Sequence, residues 1–296
     1  MAVKQSSLMR EKQKTRYLVI NADDLGKNPS VNAAIEKAHR AGILNSASIM
    51  AGGEAFDGAV ELVRRLPGLS VGLHATFCDG RSVLPHSEIP GLADESGFFE
   101  KSPAKAGLKY WTQRKRKGEK GKGKEKDLTG QLEAEVEAQF DRLQAAGIRP
   151  SHVDSHHHLH VHPVLFKILC KAARKRGVRW MRMPPGPFDG FFAWASRPEW
   201  AAFKTLEFFN ARAALAMGFH MANTYGLSHT GRVCEDCLMG LLPRLRGPVA
   251  EVFLHPDLST PGGARELDAV LSGKVKGLAD SCGIALAGFK DVPDVL

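Results

Sequence analysis

The amino-acid sequence predicts an α/β protein folded as a closed or nearly closed β/α barrel of the TIM type in one domain. Three observations lead there. Short apolar runs alternate with helical stretches about eight times, which favours a closed or nearly closed ring of strands over an open sheet. Neither an internal repeat nor a linker divides the 296 residues. Polar residues able to do chemistry recur where the strand-like runs stop, and barrel sites are built at those ends.

Taken in order, 17–21 is an apolar strand, followed by a helix over 30–41 with Ser30 as its cap. Residues 46–51 form a second strand, 55–66 a helix and 69–77 a third strand. Leu132, Val136, Phe140 and Leu143 recur at helical spacing and define an amphipathic helix over 128–146. A strand at 151–155, a helix at 163–176 and a strand at 178–183 follow, then an aromatic-rich helix over 197–217. A strand at 221–227, a helix at 234–245, a strand at 250–254, a helix at 264–281 and a strand at 284–289 complete the barrel.

Composition narrows the class. The hydrophobic fraction of 43% and charged fraction of 25% are those of a globular protein. No apolar run approaches the ~20 residues that span a bilayer. Residues 1–16 are polar and basic, and read as a frayed tail and not a signal peptide. Five scattered cysteines make no disulfide framework, which fits a cytoplasmic protein. Cys234 and Cys237 form a lone Cys-x-x-Cys; a zinc ribbon needs a second pair, so these read as small residues on a helical turn.

Two separated clusters look like halves of one metal site: Asn21-Ala22-Asp23-Asp24 and Ser155-His156-His157-His158-Leu159-His160. Adjacent carboxylates repel unless something positive lies beside them, and several imidazoles with a carboxylate suit a divalent cation. A capping Asp pair and a solvated His run are the bland alternatives. They do not account for the ordered series of strand ends: Asp23 and Asp24 after the first, His74 after the third, then His156, Arg182 and His255. With a cation bound, a spare carboxylate such as Asp23 can take a proton from a bound water. Arg182 would hold Asp23 ionised, and His255, from across the barrel, could give a proton to a leaving group.

Asn21-Ala22-Asp23-Asp24-Leu25-Gly26, Asn32, the stretch 38–44, Val71-Gly72-Leu73-His74 and the stretch 152–160 resemble the YdjC-like carbohydrate deacetylases, which include chitooligosaccharide deacetylases. The resemblance runs from Tyr17 nearly to the C-terminus. It implies metal-dependent removal of acetyl from N-acetylated amino-sugars on a distorted barrel. By matching motif it implies Asp24, His74 and His156 as ligands of one divalent metal, with Asp23 as general base. Two imidazoles and a carboxylate suit zinc as well as iron, cobalt or nickel, and an oxygen-rich remainder would suit magnesium. The stretches 177–184, 223–233 and 251–256 are similar to the hopanoid-biosynthesis-associated subset, which implies an N-acetylglucosaminyl-hopanoid-like glycolipid as substrate. The His-rich stretch 155–160 lies closer to the chitooligosaccharide enzymes and keeps a soluble chitooligosaccharide as the alternative.

Two further segments bear on partners. An insertion at about 101–127 ends in residues 114–127, whose eight basic and three acidic residues carry more than half of the net charge of +9. With no apolar face it reads as a mobile loop, suited to a phosphate-bearing ligand or an anionic membrane surface. Residues 188–219 hold nine aromatics: Phe188, Phe191, Phe192, Trp194, Trp200, Phe203, Phe208, Phe209 and Phe219. They fit core packing or an apolar groove for a lipid-linked sugar. The expected partners are therefore an acetylated amino-sugar, an anionic inner-membrane surface in peripheral contact, and a second copy in a homodimer. Nucleic acid is not among them, since no recognition module surrounds Tyr110 and Trp111. A metal-dependent phosphoesterase and a non-catalytic metal- or anion-binding protein are the rival classes.

Overall fold

Strand β1 (Tyr17–Leu25) is the hub of the sheet. It pairs in parallel with β2 (Ser46–Ile49) and with β7 (Val249–Leu254), and its first two residues also pair with β8 (Ala285–Leu286). Beyond β2 lie β3 (Ser70–Ala75), β4 (His152–Ser155) and β5 (Trp180–Met181); beyond β7 lies β6 (Asn223–Tyr225). The order is β5-β4-β3-β2-β1-β7-β6. A parallel bridge from Trp180 to His220, just ahead of β6, draws the two ends together, with Met181 N–H donating to His220 C=O at 3.0 Å. The computed structural model describes residues 17–113, 127–183, 198–226 and 231–293 and is a distorted β/α barrel.

Around the barrel run α1 (Pro29–Ala41), α2 (Phe56–Arg65), α3 (Pro103–Thr112), α4 (Leu128–Ala145) and α5 (Pro163–Lys175). They are followed by α6 (Pro198–Ala216), α7 (Glu235–Leu241), α8 (Pro261–Leu271) and α9 (Gly273–Ser281). Asn28, not Ser30, caps α1: its side chain accepts from Val31 N–H at 2.9 Å, and Pro29 supplies the first-turn φ.

The strand alternation separates two environments. On β1, Leu18, Ile20 and Ala22 face outward into the main core with Val31, Ala34, Ile35 and Ala38 of α1. Val19 faces inward and joins Trp180, Ala222, Val249, Phe289 and Val292 in a separate apolar plug at the barrel floor. Above the plug the inward residues turn polar. Asn21 donates to Ser48 at 2.9 Å, Ser48 donates to Asp154 at 2.7 Å, and the His152 ring lies 3.1 Å from the same hydroxyl. Gly72 makes room for that ring, since a Cβ there would stand 2.4 Å from it. The barrel thus passes from an apolar floor to a hydrogen-bonded middle before it reaches the site.

α4 carries a second stripe besides its predicted apolar one. Gln131, Glu135 and Gln139, four residues apart, hold the long excursion after β3: Gly91 N–H donates to Gln131, Val83 and Leu84 N–H donate to Glu135, and Thr76 N–H donates to Gln139. Burial pushes the Glu135 carboxyl up, against the lowering effect of those two amides.

Several elements differ from the sequence reading. The helix predicted over 264–281 is two, because Ser272 adopts extended backbone and its hydroxyl caps Lys274 and Val275 N–H of α9. The insertion predicted from about 101 begins with the ordered helix α3, started by the Ser102 cap and anchored where Tyr110 donates to Phe77 C=O at 2.6 Å. The rest of the basic run, 114–126, and the tail 1–16 lie outside the described residues. Of the aromatic segment, Phe219 is core, while Phe208 and Phe209 are exposed at 58% and 63%. Phe188, Phe191, Phe192 and Trp194, and the side chains of Trp200 and Phe203, lie outside the described residues. No described helix is long and apolar enough to cross a membrane.

Candidate metal centre and cleft

The carboxyl ends of the strands open into a cleft of about 930 Å³. Asp23, Asp24, His74, His156 and His255 all line it. In a regular strand, neighbours such as Asp23 and Asp24 would point to opposite faces. The left-handed backbone at Asp24 (φ 66°) breaks that alternation, so both carboxylates serve one space. Asp79, His157 and His158 are the remaining positive-φ non-glycine residues among those described (φ 46°, 53° and 54°), and they line the same cleft. Such backbones cost roughly 1–3 kcal/mol each and persist where surrounding packing imposes them.

Asp24, His74 and His156 each offer a ligand atom, and the three atoms lie within 4.8 Å of one another. His74 Nε2 is 3.3 Å and His156 Nδ1 3.0 Å from Asp24 Oδ1. Those separations match the edges, about 3.3 Å, of a tetrahedron of ligands at ~2.0–2.1 Å from an ion. The approaches are not aligned as hydrogen bonds, so Asp24 Oδ1 and His74 Nε2 are buried polar atoms without a partner. A divalent cation fits this donor set, and its three side chains come from β1, β3 and the turn after β4. Burial alone would raise the Asp24 carboxyl, but the facing imidazoles of His156 and His74 hold it well below the usual carboxylate range. Burial alone would lower His74, but Asp154, with Asp24 beyond, pushes it up to about 10. The distal nitrogen of His74 contacts Asp154 at 2.8 Å, the carboxylate–histidine arrangement that orients metal ligands.

Arg182 does not reach the cleft surface; it is buried beneath it. Its guanidinium donates to both oxygens of Asp23 at 2.7 Å, to Glu251 at 2.8 Å, and pairs with Asp154 at 2.9 Å, with the Phe253 ring stacked 4.6 Å away. Burial opposes the charge of all these groups. The pairing nevertheless keeps Asp154 ionised far below its ordinary range, while burial pushes Glu251 up, with Thr224 donating to it at 3.0 Å. Asn21 donates to Asp23 Oδ1 at 2.9 Å as well.

His255 stands opposite, with Nε2 3.7 Å from Asp23 Oδ2. Its backbone N–H donates to the buried Glu266 at 2.5 Å, and its Nδ1 lies 3.9 Å from the same oxygen. All six residues singled out by sequence therefore gather at one place, five on the cleft and Arg182 behind Asp23. Asp154, Glu251 and Glu266 complete the arrangement and were given no role in the sequence: Asp154 and Glu251 fall within the stretches 152–160 and 251–256, but inside strand-like runs, and Glu266 lies in a helix. Asp79, 3.4 Å from His157 at the mouth, was not singled out either, whereas His157 belongs to the His cluster named in the sequence but was given no role of its own. The other histidines of the run separate: His160 is bound by the Ser155 hydroxyl at 2.8 Å, and His158 packs on Phe253. Cys234 and Cys237 have their sulfurs 2.8 Å apart at the start of α7.

The sequence pattern of the family described as YdjC-like protein matches residues 17–281. The chain is 34% identical over 161 residues to a carbohydrate deacetylase of Brevibacillus brevis, a match covering 53% of this chain and 56% of that protein. It is 34% identical over 165 residues to a chitooligosaccharide deacetylase of Salmonella typhimurium, covering 55% and 58%. The matches thus span less than two thirds of these curated relatives. A solved structure from Enterococcus faecalis V583, provisionally named a cellobiose-phosphate cleavage protein, superposes with a TM-score of 0.71 at 23% identity, covering 94% of this chain and 98% of that one. That likeness concerns the fold.

Proposed function

The chain belongs to the family of YdjC-like proteins, and from that premise we propose that it is a metal-dependent carbohydrate deacetylase that hydrolyses the acetamide of an N-acetylated amino-sugar. The observation that carries the reading is the convergence of Asp24, His74 and His156 on one point, with Asp23 and His255 facing each other beside it. Resemblance to relatives named as carbohydrate and chitooligosaccharide deacetylases supports the same chemistry.

A divalent cation held by Asp24, His74 and His156 would supply Lewis acidity to water and to the acetyl carbonyl. The donor set of two imidazoles and a carboxylate suits zinc, and magnesium where water completes the shell. Asp23 accepts the proton of the attacking water. Its carboxylate keeps a spare lone pair despite the Arg182 fork and the Asn21 amide, since two oxygens offer about four acceptor sites. Arg182 fixes the plane of that carboxylate. His255 donates a proton to the nitrogen as the C–N bond breaks, releasing acetate and the free amine.

The finer reading is a lipid-linked sugar. Phe208, Phe209 and Leu215 on α6 are exposed, as are Leu108 and Trp111 on α3, a helix whose first residue, Pro103, lines the cleft. Covering apolar aglycone contributes ~25 cal/mol per Å², so 100 Å² gives roughly 2.5 kcal/mol. Acetate release, read by mass spectrometry over soluble and lipid-linked N-acetylglucosamine compounds, tests both levels. No acetate from any of them overturns the deacetylase. A higher kcat/KM for diacetylchitobiose than for a glycolipid, unchanged on deleting residues 114–127, leaves a soluble chitooligosaccharide as the substrate.

A further inference from the structure

His156 has two ring nitrogens in two different environments. Nδ1 faces Asp24 and belongs to the metal centre already described. Nε2 points the other way, toward the cleft mouth, where it is buried and has no hydrogen-bond partner. The residue is 6% exposed, so water does not account for that nitrogen cheaply. Facing it are Asp79 Oδ2 at 3.8 Å and, 3.4 Å from that same oxygen, His157 Nε2. One ligand atom from each of Asp79, His156 and His157 lies within 4.8 Å of the other two.

The geometry points to a second divalent-cation site at the cleft mouth, held by Asp79, His157 and the outward nitrogen of His156. Three features converge on it. The separation of 3.4 Å is close to the ~3.3 Å ligand edge of a tetrahedral ion, and 3.8 Å closes to it by a small rotation of the half-exposed Asp79. Asp79 and His157 both sit in left-handed backbone at the cleft mouth, uncommon for non-glycine residues although Asp and His adopt it more readily than most. The orphaned nitrogen of His156 supplies the third donor.

Two imidazoles and one carboxylate select a borderline cation such as zinc over magnesium, which prefers oxygen. A ring that binds through both nitrogens gives up its N–H proton to solvent, so the second ion binds more weakly than the first. Because Asp79 and His157 line the mouth, an ion there stands on the path to the inner centre.

Equilibrium dialysis of the full chain against zinc alone, with bound metal counted by elemental analysis, tests the site. The expected result is two zinc ions per chain at saturation, one tight and one weak. Asp79→Asn combined with His157→Ala should bind one, and His74→Ala should lose the tight ion while a weak one remains. Circular dichroism checks that each variant is folded, and the Asp79 and His157 positions are exposed enough to tolerate change. Magnesium in the same experiment should reach one per chain at most. Saturation of the wild type at a single zinc overturns the proposal, and so does a second zinc retained by the double variant. Either result leaves the inner centre untouched, since that is read from the tight ion and from acetate release.

Discussion

Arg182 donates to both oxygens of Asp23 at 2.7 Å, and the pair is buried from solvent at the junction of β1 and β5. Two parallel bonds fix the carboxylate's plane as well as its position, which a lysine ammonium cannot do. Arg182→Lys should therefore keep much of the charge balance yet lower kcat by about 10- to 100-fold, the range of a misoriented base. Arg182→Met should also destabilise the fold by about 3–5 kcal/mol, because Asp23, Asp154 and Glu251 lose their shared cation. Steady-state kinetics and urea unfolding read the two effects separately. A Lys variant with wild-type kcat would remove the positioning role.

Asp23→Asn tests the base itself. The amide still accepts from Arg182 but takes no proton, so metal content should hold while deacetylation falls by at least ~100-fold. Normal turnover would make Asp23 structural and move the base elsewhere.

The pattern of strand ends made the rim of this site legible. Asp23, Asp24, His74, His156, Arg182 and His255 each terminate or follow an apolar run, and parallel β/α topology carries such ends to one face. The supporting carboxylates were not legible in the same way. Asp154 and Glu251 lie inside strands, where a lone acid looks like an ordinary alternate polar residue; their role depends on neighbours brought in from β5. Asp79 depends on a turn 78 residues before its partner His157. Helix boundaries failed where a local hydroxyl overrode periodicity, as Ser272 does between α8 and α9. α3 was hidden because its basic, glycine-containing sequence has no clean stripe, and its anchor is a single tyrosine hydroxyl on Phe77.

The geometry gives His156 and His158 different surroundings. His156→Ala should release the inner metal, whereas His158→Ala should retain it, because His158 packs on Phe253 while His156 Nδ1 meets Asp24 at 3.0 Å. Elemental analysis of both purified variants decides it. Metal lost from the His158 variant alone would overturn the ligand choice.

Stability should fall as the solution is acidified below neutrality, before most carboxylates titrate. Burial holds both His152 and His160 down to about 4, against an ordinary value of 6.5. The unfolded chain therefore binds more protons than the folded one between those values, and stability rises with pH there. The contribution is complete above about pH 6.5 and is lost progressively as pH drops through 4, at up to ~1.4 kcal/mol per pH unit for each ring. Urea unfolding at intervals from pH 7.5 to 4.5, with a chelator present so that metal release adds nothing, should show this slope. Burial also holds His158 well below its ordinary value, so His152→Gln should reduce the slope by about a third. A flat profile over that range would mean that none of these rings is kept neutral by its burial.

Glu266 offers the sharpest test of how His255 is held. Its carboxylate accepts the His255 backbone N–H at 2.5 Å and the Val233 N–H at 3.1 Å, and it faces His255 Nδ1 at 3.9 Å. Nδ1 makes no hydrogen bond at that distance, so Glu266 acts on the ring through its charge and through the backbone of His255. Glu266→Gln keeps a carbonyl oxygen for one backbone amide and turns an N–H toward the other, because the two amides bond separate carboxylate oxygens. The loss in kcat should be about 10-fold, with urea unfolding measured alongside to separate the lost amide bond from the loss at the ring. His255→Ala alone should cost ~100-fold. If Glu266 acts through His255, the double variant should be no slower than His255→Ala, since groups working as a unit are not additive. Fully multiplicative losses would show that Glu266 serves the fold of α8 and the 231–233 turn instead of the ring.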